Sequence, residues 1–493
     1  MAIAGVPASG RGALLIGGEW RPPTSGKYVP VIDPSTGTSI GEAPVASVDE
    51  AKAAVEAAAA VEESWGMTPG HVRAKILLAA SMRLRDDRET MARLIASEVG
   101  KPIVDARTEV DRAAGVYELA AQEVRQLTGE SFPADAYDLP PGNEKRFLFT
   151  VRDPIGVVVA IGPFNFPLNL LSHKIAPALA AGNPVVAKPT SAAPFTANRL
   201  AEHLVAAGLP RGVLNVVVGP GRSVGDTLVE HPRTRLVTFT GSTEVGKGIA
   251  EKAGRHATRV ILEMGGMDPF VVLDDAAMET VVPAAVRGAF TYAGQVCTAS
   301  KRLLVQESVA DRFAKALAER AGGLKVGPAL EESTQVGPLI DQASVGRMEE
   351  LVADAKSHAA KVLVGGARPA SGPGSFYPPT VLDHVPEEAR VAHEEPFGPV
   401  VPILRFHDLD EAVRIANSTP YGLQASVYTR DLARGFALAK RIRAGGVHLN
   451  DPTTLRWDAL PFGGVKESGL GREGLRYAMQ EMTEVKLISV NFG

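Results

Sequence analysis

The segment Gly156-Val-Val-Val-Ala-Ile161 decides the fold class, because it is a continuous apolar strand without a polar residue. Four further apolar strands follow it in the chain, at 183–188, 213–218, 236–240 and 259–262. The connections between them carry predicted helices at 195–207, 223–230 and 243–253. Apolar strands that alternate with helices are typical of a parallel sheet with helices on both faces. We therefore predict a doubly wound α/β domain in this part of the chain.

A second α/β domain and a small β arm are predicted outside this region. After Gly266 the chain continues with predicted strands at 270–273, 303–305, 361–364, 399–402 and 447–450. Residues 128–150 are typical of an exposed hairpin, and 484–490 form a strand beyond the last helix. A lone hairpin is only marginally stable and an unpaired strand edge needs a partner, so we expect this arm to make a subunit contact.

The composition is that of an ordinary globular protein, with 493 residues, of which 45% are hydrophobic and 22% are charged. The net charge of −4 argues against nucleic acid or an anionic membrane as the main partner. The N-terminus lacks the pattern of a secretory leader, and glycines and prolines interrupt the most apolar stretch, 155–181. We expect a cytoplasmic protein of about two to four domains without a membrane span.

Cys297 is the only cysteine of the chain and lies in the segment Thr291-Tyr-Ala-Gly-Gln-Val-Cys-Thr-Ala-Ser-Lys301. It cannot form an internal disulfide, so it is either a small buried apolar residue or a nucleophile. The segment joins a predicted helix to a predicted strand, where backbone N–H groups can point at the sulfur. Together with Lys301 and Arg302, these dipoles are expected to lower the pKa of the thiol and to stabilise an oxyanion.

Further candidates lie just past the predicted strands, where parallel sheets bind their ligands. Glu263 ends a strand and precedes Gly265-Gly266, so burial is expected to raise the pKa of its carboxyl into the range of a general base. The alternative is a capping or ion-paired glutamate. Asn165 lies between two phenylalanines, and its amide either donates to an oxyanion or braces the turn.

The glycine-rich segment Gly241-Ser-Thr-Glu-Val-Gly-Lys-Gly248 follows a predicted strand and opens a predicted helix. Helix N-terminal amides in this context bind phosphate groups. The segment nearly matches the P-loop pattern, but Gly248 stands where a serine or threonine must hold Mg²⁺. Its spacing also differs from G-x-G-x-x-G, so the segment alone is weak evidence for a nucleotide site.

Taken together, the motifs of the chain resemble those of the aldehyde dehydrogenase superfamily along essentially its whole length. In order, they are Pro163-Phe-Asn-Phe-Pro167, Lys188-Pro189, Phe239-Thr-Gly-Ser-Thr-Glu-Val-Gly246, Leu262-Glu-Met-Gly-Gly266, Gly294-Gln-Val-Cys-Thr298, Glu394-Glu-Pro-Phe-Gly-Pro399, Asn417 with Tyr421-Gly-Leu423, and Pro461-Phe-Gly-Gly464. So many ordered motifs leave little room for a chance match.

This resemblance implies an NAD(P)-dependent enzyme that oxidises an aldehyde to the carboxylic acid. Cys297 is the implied nucleophile, which forms a thiohemiacetal and then a thioester. Asn165 and the backbone N–H of Cys297 would hold the oxyanion, and Glu263 would activate the water that hydrolyses the thioester. The same residues supply what covalent acyl chemistry requires: a thiolate, oxyanion donors and a buried base.

The resemblance also implies a cofactor site, a domain organisation and an oligomer. The implied cofactor contacts are Ile161, Pro163, Phe164, Lys188, Ser191, Gly221, Gly225, Phe239, Gly241, Ser242, Val245, Glu395 and Phe397. The NAD(P)-binding domain would comprise 1–127 and 151–264, the catalytic domain 265–460, the oligomerisation arm 128–150 and 480–493, and 461–479 would return against the cofactor domain. A homodimer or homotetramer through the arm is expected, and no metal is implied.

Ser191 bears on the choice of cofactor. Strongly NAD-selective members of the family often carry glutamate at this position, where it repels a 2′-phosphate. Serine removes that repulsion, so we expect NADP to be accepted, with either NAD or NADP as the preferred cofactor.

The sequence indicates the class of substrate less directly than it indicates the reaction. The segment Asn450-Asp-Pro-Thr-Thr-Leu-Arg456-Trp-Asp458 is similar to a branch that acts on small polar or anionic aldehydes. Arg107 or Arg112, with Arg456, would pair the anion, unless these arginines form only salt bridges. Val296 stands where phosphate-binding members carry arginine, and Phe166 with Trp457 would equally suit an aromatic or aliphatic aldehyde.

Three other functions are alternatives to hydrolytic aldehyde oxidation. A coenzyme A-acylating relative is the first alternative, and Glu263 argues against it because that branch typically lacks this base. A nucleotide triphosphatase built on the glycine-rich segment is disfavoured by Gly248. A non-catalytic relative is disfavoured because Cys297, Glu263 and Asn165 are all present.

Overall fold

The computed structural model describes residues 5–370 and 372–493, and its strands form sheets of eight, seven, three and two strands. In chain order the strands are β1 Leu14–Ile16, β2 Glu19–Arg21, β3 Tyr28–Ile32, β4 Ser39–Pro44, β5 Ser131–Phe132, β6 Arg146–Pro154, β7 Val157–Ile161, β8 Val185–Lys188, β9 Leu214–Val216, β10 Thr234–Thr240, β11 Arg259–Glu263, β12 Pro269–Val272, β13 Arg302–Gln306, β14 Lys361–Val364, β15 Thr380–Asp383, β16 Val400–Phe406, β17 Gln424–Tyr428, β18 Gly446–Leu449, β19 Gly469–Leu470 and β20 Thr483–Asn491.

The helices connect these strands and cover the two large sheets. They are α1 Val48–Ala59, α2 Glu62–Gly66, α3 Gly70–Asp86, α4 Arg88–Val99, α5 Ile103–Glu123, α6 Asn169–Ala181, α7 Pro194–Ala206, α8 Asp226–Glu230, α9 Thr243–Gly254, α10 Met278–Phe290, α11 Glu307–Gly322, α12 Gln342–Ser357, α13 Leu409–Asn417, α14 Leu432–Arg441 and α15 Leu475–Glu481. In the described part of the chain, no helix is both long enough and apolar enough to cross a bilayer.

The eight-stranded sheet contains the apolar strands predicted from the sequence. Its order is β19-β11-β10-β7-β8-β9-β1-β2, and the five strands from β11 to β9 are mutually parallel. The edge strands β19, β1 and β2 are antiparallel to their neighbours. The parallel part therefore has its carboxyl ends along one edge, where the predicted site residues follow the strands.

Both faces of this sheet are buried, because alternate residues of each strand pack against different helices. In β7, Val158 and Ala160 belong to the core cluster that α3 to α7 complete, whereas Val157, Val159 and Ile161 belong to the cluster on the α1, α8 and α9 side. Side chains of a strand alternate between its two faces, so a continuous apolar strand requires cover on both. The doubly wound prediction is confirmed.

Helix α1 begins at a pair of reciprocal hydrogen bonds between Ser47 and Glu50. The Ser47 hydroxyl accepts from the Glu50 backbone N–H at 3.2 Å, and the Glu50 carboxylate accepts from the Ser47 backbone N–H at 2.8 Å. This reciprocal pair is a capping box, which satisfies two donors that the first turn would otherwise leave unpaired.

The seven-stranded sheet forms a second α/β unit with its own core. Its order is β14-β15-β16-β13-β12-β17-β18, and all pairs are parallel except β14 with β15. Residues of α10, α11 and α12 complete the apolar cluster around it. A second α/β domain is therefore confirmed as a structural unit.

The predicted arm is a three-stranded antiparallel sheet, ordered β20-β6-β5. The pairing of β20 with β6 runs without a shift from Thr483 with Pro154 to Asn491 with Arg146. The boundary predicted at residue 150 therefore falls inside a strand, because β6 continues to Pro154. Val485 and Leu487 of β20 are more than half exposed, so this edge of the arm presents apolar side chains to solvent.

Candidate active site

The loop that carries Cys297 is held in an unusual backbone conformation. Helix α10 ends at Phe290, and in the turn that follows Tyr292 and Ala293 have positive φ angles of 48° and 53°. Such angles are costly for residues other than glycine and persist where surrounding packing imposes them. Gly294 also has a positive φ, and a Cβ atom there would collide with the Gly398 carbonyl oxygen. Tight packing therefore fixes the loop.

Burial is the main influence on the pKa of the Cys297 thiol. It raises the pKa of the thiol to about 12, although Lys301 and Arg456 partly oppose the shift. The prediction of a lowered thiol pKa is therefore wrong for the protein without ligands. Lys301 does lie close, since its ammonium donates to the Cys297 carbonyl oxygen. Arg302 instead donates to the backbone carbonyls of Met267, Ile415 and Ala416.

Asn165 connects the first sheet to the cysteine loop. Its side chain is buried in the segment after β7, and its Nδ2 donates to the Gln295 carbonyl oxygen at 2.9 Å. The Gln295 side chain in turn accepts from the Ile340 backbone N–H at 2.9 Å. The amide therefore has a fixed position next to the loop that presents Cys297, as an oxyanion donor needs.

Glu263 ends β11 and is buried without a hydrogen-bond partner for either carboxylate oxygen among the described residues. Burial, reinforced by the nearby Glu473, raises the pKa of Glu263 well above its ordinary value. Burial would also raise the pKa of Glu473, but Lys174 and Arg456 hold it at about 2. The pKa values of the two carboxyls therefore move apart, that of Glu473 downward and that of Glu263 upward, which leaves Glu473 as the carboxylate that keeps its charge and Glu263 as the stronger proton acceptor.

The predicted cofactor residues line two adjoining cavities at the carboxyl edge of the first sheet. The larger has a volume of about 550 Å³, and its wall includes Pro163, Phe164, Lys188, Ser191, Gly221, Gly241, Ser242, Glu395 and Phe397. The second has a volume of about 400 Å³, and its wall includes Ile161, Gly225, Phe239 and Val245 together with Lys188 and Gly221. Every residue predicted to contact the cofactor lies in one of these walls.

The wall residues fit a dinucleotide. Helix α9 begins after Ser242 with no side-chain cap, so its first backbone N–H groups are open to the cavity edge for a pyrophosphate. Burial lowers the pKa of Lys188 to about 8 with no offsetting carboxylate in the described residues, which suits a lysine that bonds ribose hydroxyls. The Phe397 ring packs edge-on against Phe164 with centroids 5.8 Å apart, and Glu395 pairs with Lys301 at 2.8 Å.

A third cavity, of about 220 Å³, opens on the other side of the cysteine. Its wall includes Lys101, Asp105, Thr108, Glu109, Arg112, Phe166, Asn169, Leu170, Thr291, Tyr292, Val296, Cys297, Thr298, Thr454, Arg456 and Phe462. Cys297 also lines the larger cofactor cavity. The thiol therefore lies where the two cavities meet. We refer to this third space as the substrate cavity.

Two arginines of the substrate cavity belong to one charged network. Arg112 donates to both carboxylate oxygens of Asp458, at 2.5 and 3.3 Å, and His173 Nε2 lies 2.9 Å from Asp458 Oδ1. Arg456 donates to Glu473 at 2.9 Å, and its guanidinium lies 3.8 Å from the centre of the Phe462 ring. The Arg112 side chain is 30% exposed, whereas Arg456 is buried. The cavity thus contains cationic groups whose charges are largely balanced.

Two of the predicted substrate contacts lie elsewhere. Arg107 pairs with Glu89 and Glu332 outside the cavity, so the salt-bridge alternative is correct for this residue. Trp457 is 53% exposed and its ring faces His448, with centroids 6.4 Å apart. The prediction that Arg107 or Trp457 lines the substrate cavity is wrong, because both side chains point to other surroundings. Phe166, Val296 and Arg456 do line it.

Lys101, Asn169 and Thr454 line the substrate cavity and were not predicted. Lys101 is fully buried, pairs with Glu109, and lies 3.5 Å from the centre of the Phe166 ring. A lysine between a glycine and a proline at a helix boundary was a weak signal for this position. Asn169 follows Asn165 by four residues, and that spacing could have indicated it.

Comparison with known proteins gives a family match over most of the chain. Residues 20–488 match the Aldehyde dehydrogenase family. The chain is 39% identical over 480 residues to an NADP⁺ succinate-semialdehyde dehydrogenase of Escherichia coli, covering 97% of this chain and 98% of that protein. It is 40% identical to the lactaldehyde dehydrogenase of Methanocaldococcus jannaschii, covering 97% and 100%. The crystal structure of an NADP-dependent glyceraldehyde-3-phosphate dehydrogenase from Bacillus halodurans, complexed with NADP, superposes with a TM-score of 0.94 at 39% identity, covering 98% and 100%.

The chain therefore belongs to the aldehyde dehydrogenase family. It is an oxidoreductase that acts on the aldehyde group, with NAD or NADP as the cofactor. The family resemblance stated from the sequence motifs is confirmed, and so is the prediction of an NAD(P)-dependent enzyme.

Proposed function

We propose that this protein oxidises a small aldehyde with a polar or anionic substituent to its carboxylic acid, by hydrolysis of a thioester on Cys297. The observation that carries the proposal is the position of Cys297, which lines both the cofactor cavity and the substrate cavity. A carbon atom bonded to its sulfur would face the cofactor on one side and the rest of the substrate on the other. That arrangement suits hydride transfer from a covalent adduct.

In the first step the Cys297 sulfur attacks the aldehyde carbon, and the aldehyde oxygen becomes an oxyanion. The Asn165 amide and the Cys297 backbone N–H are the donors for this oxyanion. Because burial holds the pKa of the thiol at about 12, ionisation needs a base or an added positive charge nearby. Lys301 and Arg456 lower that pKa in part, and the positive charge of NAD(P)⁺ in the adjoining cavity would lower it further, so that the thiol proton leaves to solvent before the attack.

NAD(P)⁺, when bound, supplies the acceptor for the hydride that leaves the thiohemiacetal carbon. The chain's own contribution at this stage is orientation, because Glu395 and Phe397 line the cofactor cavity together with Cys297. A Cβ atom on Gly265 would collide with the Glu395 carboxylate, so the backbone there is shaped to let that side chain approach. Loss of the hydride leaves a thioester between Cys297 and the acyl group.

Glu263 then takes a proton from the water that attacks the thioester. Its carboxylate is buried and has no hydrogen-bond partner among the described residues, so it is available as a base. A coenzyme A thiol could take the acyl group in place of water, which is the alternative kept from the sequence. The raised pKa of Glu263 supports hydrolysis, because it makes the carboxylate a stronger proton acceptor beside the acyl group.

The charged network supports the choice of substrate. Arg112 and Arg456 line the substrate cavity, and arginine pairs carboxylate and phosphate groups through two parallel hydrogen bonds. Two of the relatives named above are described as acting on a semialdehyde of succinate and on a phosphorylated aldehyde, both of which are anionic. Phe166 and Val296 make the remaining wall apolar, so a neutral aliphatic or aromatic aldehyde is the alternative.

Two further predictions accompany this function. A homodimer or homotetramer through the arm is supported by the exposed apolar residues of β20, whose far edge pairs with no other strand in the described chain. Removal of the residues after Glu484 should give monomers or insoluble protein, and an intact soluble oligomer would contradict the prediction. The cytoplasmic location stays a prediction from the sequence.

The test of the proposed function is the absorbance of reduced nicotinamide with purified protein, either cofactor and a panel of aldehydes. The panel runs from glycolaldehyde and lactaldehyde through succinic semialdehyde to benzaldehyde. We expect turnover that disappears in Cys297→Ala, while the variant still binds the cofactor because most of the cofactor cavity is unchanged. Product analysis should give the free acid, whereas acyl-CoA formed only with added coenzyme A would favour the alternative. Turnover by Cys297→Ala would reject the mechanism.

A further inference from the structure

The substrate cavity contains a buried amide that the proposed mechanism does not use. Asn169 is the first residue of α6, and its side chain is 1% exposed. Its Oδ1 has no hydrogen-bond partner in the described ranges 5–370 and 372–493. Buried polar atoms are almost always paired, so an exception in the wall of a ligand cavity calls for a partner from the ligand.

Asn169 is not needed to cap its helix. An asparagine at a helix start commonly accepts from the backbone N–H groups of the first turn. Here Glu109 of α5 does so instead, because its Oε1 accepts from the Leu168 backbone N–H at 3.0 Å and from the Asn169 backbone N–H at 3.1 Å. The side-chain amide is therefore left free of any role in the helix terminus.

The surroundings hold the helix start in place. Glu109, which caps it, also pairs with Lys101, and the Lys101 ammonium lies over the Phe166 and Tyr292 rings. These contacts are buried, so the position of Asn169 relative to the cysteine loop is fixed by packing. A fixed donor and acceptor group in a cavity wall discriminates between ligands more sharply than a mobile one.

Several other polar side chains of the same wall are already paired. The Thr108 hydroxyl donates to the Val104 carbonyl at 3.1 Å, and the Thr291 hydroxyl donates to the Arg287 carbonyl at 2.8 Å. The arginines of the wall, Arg112 and Arg456, are paired with carboxylates, although the Nε of Arg456 has no hydrogen-bond partner of its own in the described residues. Among the side-chain oxygens of this wall in the described residues, that of Asn169 is the one that is buried without a partner.

The chemistry of an amide indicates what its partner is. A carboxamide has one acceptor and one donor end, and a hydroxyl group also accepts and donates. A hydroxyl therefore matches Asn169 whichever way the amide is turned. A carboxylate matches only the donor end, and a cation matches only the acceptor end. An alkyl chain would leave the buried oxygen unpaired.

We propose that Asn169 is a specificity-determining residue, which bonds a hydroxyl group on the carbon chain of the aldehyde. The substrate class would then be hydroxyaldehydes, whose hydroxyl Asn169 recognises beside the site of thiol attack. This inference rests on the proposed function and narrows its substrate. A site with a buried polar group that a substrate hydroxyl pairs rejects the analogue without that hydroxyl, because the protein group is then left unsatisfied.

The experiment compares matched aldehydes that differ by one hydroxyl: glycolaldehyde with acetaldehyde, and lactaldehyde with propanal. For the wild-type protein we expect kcat/KM to favour the hydroxylated member of each pair by about tenfold or more. Asn169→Leu should reduce that preference by about tenfold, mainly through the hydroxylated substrates. The same solutions serve both proteins, so hydration of the aldehydes cancels in the comparison. Asn169→Ala is the second variant, in case leucine does not fit.

Thermal stability provides a readout that a purely structural role would move in the opposite direction. Asn183 is the matched control, because it is buried but bonded at both ends: Oδ1 accepts from the Gly156 N–H at 2.9 Å and Nδ2 donates to the Met482 carbonyl at 2.9 Å. We expect Asn183→Leu to lower Tm without changing the hydroxyl preference. Asn169→Leu should leave Tm unchanged or raise it, since it removes an unpaired polar atom.

The outcomes separate the two proposals. An unchanged hydroxyl preference in both Asn169 variants overturns the role of Asn169, even if aldehydes are oxidised. A drop in Tm for Asn169→Leu as large as that for Asn183→Leu, with no change in preference, shows that Asn169 is structural. Absence of turnover with every aldehyde in the wild-type protein overturns the proposed function itself, and this inference with it.

Discussion

The cofactor cavity and the substrate cavity meet at Cys297 but are built from different parts of the fold. The cofactor cavity takes its wall mostly from residues just beyond the parallel strands β7, β8 and β10 and from the start of α9. The substrate cavity takes its wall from side chains on α5 and α6, from the cysteine loop and from the segment that contains Arg456. The cofactor cavity is therefore formed mainly by the sheet edge, and the substrate cavity is formed by helix faces and loops.

This difference separates cofactor binding, which many proteins share, from substrate recognition, which is specific to each protein. The carboxyl edge of a parallel sheet presents backbone N–H groups and short turns, which bind a nucleotide in much the same way in many proteins. The helix faces and loops present long side chains that can change without disturbing the sheet. Mutations on the two sides should therefore affect different kinetic constants, and the following predictions test that separation.

The largest effect is expected for Glu263, because it is the proposed base for hydrolysis of the thioester. Its role does not belong to the cofactor cavity or to the substrate cavity alone. Glu263→Gln should lower steady-state turnover by about 10²- to 10⁴-fold, since it removes the base for hydrolysis. Hydride transfer precedes that step, so a burst of one reduced nicotinamide per active site should remain. Rapid mixing with absorbance detection measures both phases. Loss of the burst together with turnover would show that Glu263 is needed before the thioester forms.

The pH profile gives an independent check on the same residue. Burial raises the pKa of Glu263, and a general base must be deprotonated to act. Turnover should therefore increase with pH through a value well above the ordinary carboxyl range, and this rising limb should be absent in Glu263→Gln. A limb that persists unchanged in the variant would assign it to another group.

The next largest effect concerns the two arginines that the sequence left as alternatives. Arg112→Gln should raise KM for succinic semialdehyde about 10- to 100-fold, because a charge-assisted pair is lost, and should change propanal little. Arg107→Gln is the matched control, since it lies on the same helix but pairs with Glu89 and Glu332 outside the cavity. Equal effects of both variants on KM would show that the anion is not bound in this cavity.

The contrast between the sheet edge and the helix faces also explains which site residues could be predicted from the sequence. Residues at strand ends were predicted because apolar strands in sequence fix both the sheet and the edge where its turns lie. Arg107 and Arg112 are five residues apart on α5, so their side chains differ by about 140° around the helix axis. Sequence gives that angle but not which direction faces the cysteine loop, because tertiary packing sets the rotation of the helix.

Electrostatics was the second limit of prediction from the sequence. Lys301 and Arg302 are adjacent in the chain, yet one faces Cys297 and the other bonds to distant carbonyls. Their expected influence on the thiol was therefore overestimated, and burial, which the sequence does not report, controls its pKa instead. The arm was predictable as strands, but the residue at which β6 ends was not.

A smaller effect is expected at the thiol itself, where the cavities join. With its pKa at about 12, Cys297 should react slowly with iodoacetamide at pH 7.5. A cationic nicotinamide ring in the adjoining cavity should lower that pKa, so NAD⁺ should accelerate alkylation by about tenfold for each pKa unit. Mass spectrometry of the single cysteine measures the rate. NADH is the control, because its ring is neutral. Equal rates with both forms would mean that the ring and the thiol are not adjacent.

The smallest effect should be confined to the cofactor cavity. Ser191 lines it together with Lys188, at the position where a carboxylate would repel a 2′-phosphate. Ser191→Glu should raise KM for NADP by about tenfold and change KM for NAD little, because only NADP carries the extra charge. Ser191→Gln, similar in size but neutral, is the control that separates charge from bulk. A change in aldehyde specificity in either variant would show that the two cavities are coupled, and the division between sheet and helix faces would then fail as an account of this site.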